Sequence, residues 1–143
     1  RRGWGRTAGG AGPGERARVG GIRSWCLLVG VWAGLGSVAV SPLTDKYGCE
    51  KLIAKWNKSP NMWLNRAAIQ HQRGRKFETD VELVLQYCDD HSDSKEFFIV
   101  KAIGWALRDI SRINPQAVRA FLKDHPDLGR VAVREAERGL GRL

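Results

Sequence analysis

The sequence predicts an all-α fold, and three observations lead to this prediction. First, residues 95–115 carry apolar side chains at the period of a helix with one buried face. Second, helix-start signals recur from residue 44 onward. Third, no stretch in that region alternates between apolar and polar residues as a half-buried strand does. The 143 residues are enough for one domain with a buried core.

Three helices are expected before residue 95. The first covers residues 45–56, where Leu52, Ile53 and Trp56 have helical spacing. The second covers residues 59–72 and starts where a serine cap precedes a proline. The third opens at a capping box formed by Thr79 and Glu82, and a connecting loop follows it over residues 89–94.

Three more helices follow along the chain. The longest covers residues 95–114 and should be capped by Asp93 or Ser94. The last two helices begin at Pro115 and Val131. The apolar sector of the long helix should face the core, and it comprises Ile99, Ile103, Ala106, Leu107 and Ile110.

The opposite side of the long helix combines one aromatic ring with three cations: Lys101, Trp105, Arg108 and Arg112. Two interpretations of this side are open. Cations could hold phosphates while the flat ring lies against a sugar or a base, as in nucleic-acid grooves. Alternatively, the face is a solvated basic surface on which Trp105 is half-buried against a neighbouring helix.

The formal charge of +9 favours a polyanionic partner, but it is unevenly distributed. Residues 1–23 contain six Arg, one Glu and eight Gly, so they contribute +5 and little that could form a core. This Gly/Arg-rich segment is expected to be disordered. The remaining residues carry +4, which makes the globular part only mildly basic.

Residues 24–43 are strongly apolar, with an uninterrupted run of 16 residues from Trp25 to Val40. That run is shorter than the roughly 20 residues needed to span a bilayer. A basic segment followed by an apolar run could also be a signal peptide, although the basic part is long for one. We favour a buried helix, and we expect no membrane partner.

The three cysteines, Cys26, Cys49 and Cys88, are widely spaced and form no C-x-x-C pair, so they indicate a reducing compartment rather than a disulfide framework. Cys88 and His91 have no second ligand pair nearby, and we therefore expect no metal and no cofactor.

An internal repeat is visible. Trp63-x-x-Arg66 and Trp105-x-x-Arg108 share the same spacing and lie 42 residues apart. HEAT-type helical pairs repeat every ~40 to 47 residues. The expected architecture is therefore a right-handed superhelical stack of HEAT-like antiparallel helix pairs, a partial solenoid with one concave face.

Several segments closely resemble the DNA alkylation repair glycosylases of the AlkD kind. These segments are S-P-N-M-W-L-N-R-A-A-I from Ser59, S-K-E-F-F-I-V-K-A-I-G-W-A-L-R-D from Ser94, N-P-Q-A-V-R-A-F and V-R-E-A. The resemblance covers residues 45–140, about the C-terminal half of a full member. It implies an arc of HEAT-like repeats over residues 44–143 that binds duplex DNA and hydrolyses the N-glycosidic bond of cationic alkylpurines.

The resemblance also assigns roles to particular residues. It implies that Arg66 lies beside the backbone of the lesion and that Trp105 packs against the damaged nucleotide. The family places its catalytic Asp at the end of a Ser-Trp-Trp-Asp-x-Val-Asp motif. The best counterpart here begins at Ser24 and Trp25, and Gly30 occupies the position of the catalytic Asp. Residues 24–43 are therefore expected to be a degenerate or misreported version of that region.

These expectations define the function to be tested. The chain is expected to be a glycosylase-like DNA repair protein with a DNA-binding surface at Arg66, Lys101, Trp105, Arg108, Arg112 and Trp25. Without the catalytic Asp, its hydrolysis of 3-alkyladenine and 7-alkylguanine should be impaired. The alternative is a non-catalytic helical-repeat module that binds duplex nucleic acid or an acidic protein. Either protein would act as a monomer in the cytoplasm, at the nucleoid, or in the nucleus.

Overall fold

A computed structural model describes residues 48–141, and within that range it contains α-helices and one short 3-10 helix but no strand. The α-helices are α1 (Glu50–Asn57), α2 (Met62–Ile69), α3 (Val81–Asp90), α4 (Phe97–Ser111), α5 (Pro115–Asp124) and α6 (Arg130–Leu140). The predicted all-α fold is confirmed for these residues. The predictions made for residues 1–23 and 24–43 fall outside the described residues. The right-handed HEAT-like stack stays a prediction.

The long helix α4 lies at the centre of the fold. It contacts α2, α3, α5 and α6. All the side chains predicted for its apolar sector are buried, with Ile103 and Leu107 fully inaccessible to solvent. Val84 of α3, Val118 of α5 and Ala132 of α6 join the same core. The periodicity of α4 therefore predicted correctly which face the rest of the domain covers.

Three helices, α2, α3 and α4, begin one to three residues later than the sequence predicts. Helix α1 begins at Glu50 rather than at residue 45, and α6 begins at Arg130, one residue before the predicted Val131. The side chain of Asn61 accepts a hydrogen bond from the Trp63 N–H at 2.9 Å, so α2 starts at Met62 rather than at the predicted proline. Asp80, not Thr79, caps α3. Helix α4 starts at Phe97 after Glu96, and no side chain caps it. The predicted start of α5 at Pro115 is confirmed.

One asparagine joins α1 to α2. The side-chain amide of Asn65 lies 2.9–3.0 Å from the carbonyl oxygens of Trp56, Asn57 and Ser59. Carbonyls at the end of a helix have no partner within the helix, and burying them unpaired is costly. The two amide hydrogens, shared among three carbonyls, therefore close the end of α1 and fix the turn into α2.

Among the helices of residues 48–141, α6 and α4 form the most extensive contact. Small residues on both helices allow this close approach. A Cβ added at Gly104 would lie 2.9 Å from the Cα of Ala132 and 3.1 Å from the Cβ of Glu135. At the far end of the contact, a Cβ on Gly139 would lie 3.0 Å from the Cα of Arg108. None of the helices within residues 48–141 has the length and hydrophobicity that a bilayer-spanning segment requires.

Gly104→Ala should destabilise the protein by about 1–3 kcal/mol, because the new methyl group meets backbone that cannot move aside. Helix propensity alone would predict the opposite change in the free energy of unfolding, since it favours Ala over Gly by about 1 kcal/mol. Thermal unfolding of Gly104→Ala and Gly104→Val should show a graded loss. Gln116→Ala, on the exposed side of α5, is the control and should change the stability by less than about 0.5 kcal/mol. An unchanged or raised melting temperature for Gly104→Ala would contradict the packing described.

Candidate nucleic-acid interface

Two cations lie close to the ring of Trp105 on the surface of α4. The guanidinium carbon of Arg73 is 4.0 Å from the ring centroid, and the Lys101 ammonium is 5.7 Å from it. Lys101 is one turn before Trp105, so helical spacing alone brings it to the ring. Arg73 lies in the turn after α2, where its backbone N–H donates a hydrogen bond to the Gln70 carbonyl at 3.0 Å. The tryptophan side chain is half-buried and presents part of its surface to solvent.

The same surface continues toward the start of α4 through three further aromatic rings. Phe98 lies 5.0 Å from Trp63 and 5.4 Å from Phe97, measured between ring centroids. Lys101 lies 5.6 Å from the Phe97 ring and so connects this group to Trp105. Phe97 is 54% exposed and Phe98 is 37% exposed. We call this surface the aromatic–cationic strip, and it consists of Trp63, Phe97, Phe98 and Trp105 with Arg66, Arg73 and Lys101.

Arg66 forms the buried floor of the strip. Its exposed fraction is 5%, and its Nη1 donates a hydrogen bond to the Phe98 carbonyl at 3.1 Å. Its guanidinium carbon lies 5.7 Å from the Phe98 ring. Burial lowers the pKa of Arg66, and the neighbouring charge of Arg73 lowers it further. Because arginine keeps its charge even so, two like charges are held close together under a partly apolar surface.

Asp109 supplies negative charge beside Arg73, the cation that lies over Trp105. Its Oδ2 is 3.9 Å from the Nε of Arg73. Burial raises the pKa of Asp109, and the positive charges of Arg73, Arg112 and Arg108 oppose that rise. A partly desolvated carboxylate that faces three cations balances positive charge rather than adding a negative patch. Cations therefore outnumber carboxylates around Trp105.

Arg108, predicted to share one face with Lys101, forms an ion pair with α6. Its Nη1 lies 3.1 Å from Glu135 on α6, and Glu135 also accepts from Arg138 at 2.6 Å. Glu135 is buried, so this group joins α4 to α6. Arg112, at the C-terminal end of α4, is exposed beside Asp109. The structure thus brings Lys101, Trp105 and Arg66 together and directs Arg108 toward the helix contact.

Four members of the strip were not predicted to belong to the binding surface: Trp63, Arg73, Phe97 and Phe98. Arg73 lies 32 positions from Trp105, and only the tertiary fold brings the two together. The sequence did indicate that the two phenylalanines are exposed, because both lie at the start of α4 and outside its apolar sector. Trp25 and Gly30 lie outside the described residues. The binding role of Trp25 and the assignment of Gly30 to the position of the family's catalytic Asp therefore stay predictions.

Cys88 and His91, the pair with possible metal-ligand spacing, occupy other environments in the structure. The Nε2 of His91 lies 3.0 Å from the carbonyl oxygen of Asn57 and 2.9 Å from its side-chain oxygen. Cys88 is fully buried, and burial strongly raises the pKa of its thiol, which keeps it protonated. Over the described range, no group of three or more His, Cys, Asp or Glu residues could hold a metal ion.

Comparisons with known proteins agree on one family. The family model described as DNA alkylation repair enzyme matches residues 22–140. A solved structure, "Predicted DNA alkylation repair enzyme from Enterococcus faecalis", is 30% identical with a TM-score of 0.57, and the match covers 80% of this chain. The chain spans about half (49%) of the length of that protein. No curated protein matches the chain. Because the family model covers most of its length, the chain belongs to the DNA alkylation repair enzyme family.

Proposed function

We propose that this protein binds alkylated duplex DNA with the aromatic–cationic strip and is a glycosylase-like member of its family with impaired catalysis. The observation that supports this most strongly is the half-buried Trp105 ring with the cations of Arg73 and Lys101 close to it. Aromatic rings stack on bases and sugars whatever their sequence, and cations beside them hold phosphates. In this proposal the bound lesions are the cationic purines 3-alkyladenine and 7-alkylguanine.

The charges beneath the strip favour a polyanion. The positive charge of Arg73 lowers the pKa of Arg66, so repulsion between the two cations is already present in the free protein. A phosphate placed over them would relieve that repulsion and release counterions. Lys101, half-buried between two rings, would keep its charge directed at the same phosphates. In this proposal the strip forms part of the concave face of a HEAT-like stack.

The chemistry attributed to the family needs an anion at the sugar. Hydrolysis breaks the bond between the deoxyribose C1′ and the purine nitrogen, water adds to C1′, and the base leaves. Positive charge develops on the sugar meanwhile, and a nearby carboxylate stabilises it. Gly30 stands where the family motif has that carboxylate. Asp109 and Glu135, the carboxylates that contact the arginines of this region, are each paired with those arginines.

A second candidate function is a non-catalytic module that binds duplex nucleic acid or an acidic protein surface through the same strip. Gly30 is the observation that favours it, because a strip without the carboxylate can bind but lacks the group that stabilises the sugar cation. Binding and excision must therefore be measured separately.

Lys101→Gln should weaken duplex binding and reduce the slope of log K against log salt by about 0.9, the value for one phosphate. Lys101 is a better choice than Arg108, since removing Arg108 would also leave Glu135 without one of its partners. Lys123→Gln, on the exposed side of α5, is the matched control. Both variants keep residues 1–23, so nonspecific binding by that basic segment is the same in each. Equal affinity and slope for the two variants would contradict the proposed binding surface.

The unmodified chain should release little or no 3-alkyladenine or 7-alkylguanine from methylated DNA. Gly30→Asp should raise single-turnover excision by on the order of 10² to 10³, because one preorganised charge is worth that much to a developing cation. Gly36→Asp, in the same apolar run, is the control for adding a carboxylate elsewhere. A chimera with an intact family N-terminal half sets the upper reference rate. Excision by the unmodified chain at the rate of the chimera would show that another group performs the catalysis.

A further inference from the structure

Phe77 is the most exposed large apolar side chain in the part of the chain that the structure describes. Its exposed fraction is 83%, compared with 54% for Phe97 and 37% for Phe98. It lies in the 3-10 helix Lys76–Glu78, between α2 and α3. A phenyl ring left in water forgoes the stabilisation that burial would provide, so a ring held outside the core is suited to bury against a partner.

Hydrogen bonds hold the segment that presents this ring. The side-chain oxygen of Gln72, a buried residue, accepts from the Asp80 N–H at 2.6 Å and so joins the two ends of the segment. Inside it, the Glu78 N–H donates to the Arg75 carbonyl and the Thr79 N–H to the Lys76 carbonyl, both at 3.2 Å. We call residues 73–79 the Phe77 loop. Because its backbone is fixed at both ends, the loop can present the ring at a defined position.

The backbone before Phe77 has an unusual conformation. Lys76 has a φ of 56°, the sole positive φ among the described residues other than glycine. Gly74 has a φ of 89°. A side chain in the left-handed region is strained, and strain of this kind concentrates where it positions a functional group. Here its effect is to turn the chain so that Phe77 points away from the core.

The surroundings of Phe77 are basic. Arg73, Arg75 and Lys76 precede it in the loop, and Arg112 of α4 lies across a cleft of about 350 Å³ that Phe77 also lines. The carboxylates of this region are Glu78, Asp80 and Asp109. Two of these have structural partners, since Asp80 caps α3 and Asp109 faces Arg73.

The Phe77 loop is continuous with the aromatic–cationic strip. Arg73 is the first residue of the loop, and its guanidinium covers Trp105. Asp109 contacts Arg73 and also lines the cleft beside Phe77. A duplex bound on the strip would therefore pass close to the exposed ring.

We propose that Phe77 is a wedge that enters between two stacked base pairs of the bound duplex, while Arg75, Lys76 and Arg112 contact the phosphates on either side. This inference rests on the proposed DNA binding and extends it to a residue outside the strip. Apolar wedges flanked by cations unstack base steps and bend DNA. Charge selects DNA over a second copy of this chain, since a twofold contact through Phe77 would bring the cations of both loops together.

The test uses the full 143-residue chain and a duplex that carries 2-aminopurine beside an alkylated purine. The fluorescence of 2-aminopurine rises when the base is unstacked, so the unmodified protein should increase it on binding. Phe77→Ala should abolish the increase and weaken binding about 10-fold, the equivalent of about 1.4 kcal/mol for one lost stacking contact. Phe77→Leu, which keeps an apolar wedge, should retain most of both effects. Because the ring is exposed, neither variant should change the melting temperature.

The outcomes separate this inference from the proposed function. If the unmodified chain binds no duplex, both are overturned. If it binds and Lys101→Gln weakens that binding, but Phe77→Ala leaves the affinity and the fluorescence increase unchanged, the wedge alone is overturned. Sedimentation of the free protein provides a further check. Self-association that Phe77→Ala abolishes, with DNA binding intact, would show that the ring contacts another copy instead.

Discussion

The structure depends on the burial of one face of α4. Four other described helices pack against this helix, and the side chains they cover have helical spacing along its whole length. Burying an apolar side chain stabilises the fold by about 1.5–3 kcal/mol, so this face contributes more than any polar contact at the surface. Its consequence for function is geometric. With one side of α4 fixed in the core, Lys101 and Trp105 must face outward, and the turn after α2 must lie beside them.

The electrostatics of the outward side are a compromise between folding and binding. The positive charge of Arg73 lowers the pKa of Arg66, and Arg108 lowers the pKa of Arg73 while Asp109 opposes that change. A protein selected for stability alone would gain from replacing one of these cations. A protein that binds phosphates recovers this cost on binding, because the ligand adds negative charge beside the cations. The presence of both cations is therefore easier to explain by phosphate binding than by a contribution to the core.

Different parts of this arrangement could be predicted from sequence to different extents. Periodicity identified the buried face of α4, since each position is related to the next by a fixed angle. Caps were less certain because neighbouring polar residues compete, and Asp80 rather than Thr79 proved to cap α3. The orientation of Arg108 could not be predicted, because Glu135 is 27 residues away and reaches it only through the packing of α6.

Local resemblance was most informative where a motif lies on a single helix. The segment around Trp105 carried both the helix and the family signal, and the family match confirmed the latter. The contribution of Arg73 follows from tertiary structure alone, since it reaches Trp105 from the turn between α2 and α3. The contribution of Phe98 also follows from tertiary structure, because its carbonyl and its ring both contact Arg66, which lies on another helix. A surface assembled from separate segments is visible only once the fold is known.

Hydrogen–deuterium exchange of the full chain with and without an alkylated duplex tests the central claim most directly. If the surface around Trp105 is the DNA interface, bound DNA should slow exchange in residues 66–79 and 97–112. Exchange in the exposed turns of Pro115–Asp124, on another side of α4, should stay the same. Slower exchange in α5, with no change in residues 66–79 and 97–112, would contradict this account and place the DNA elsewhere on the molecule.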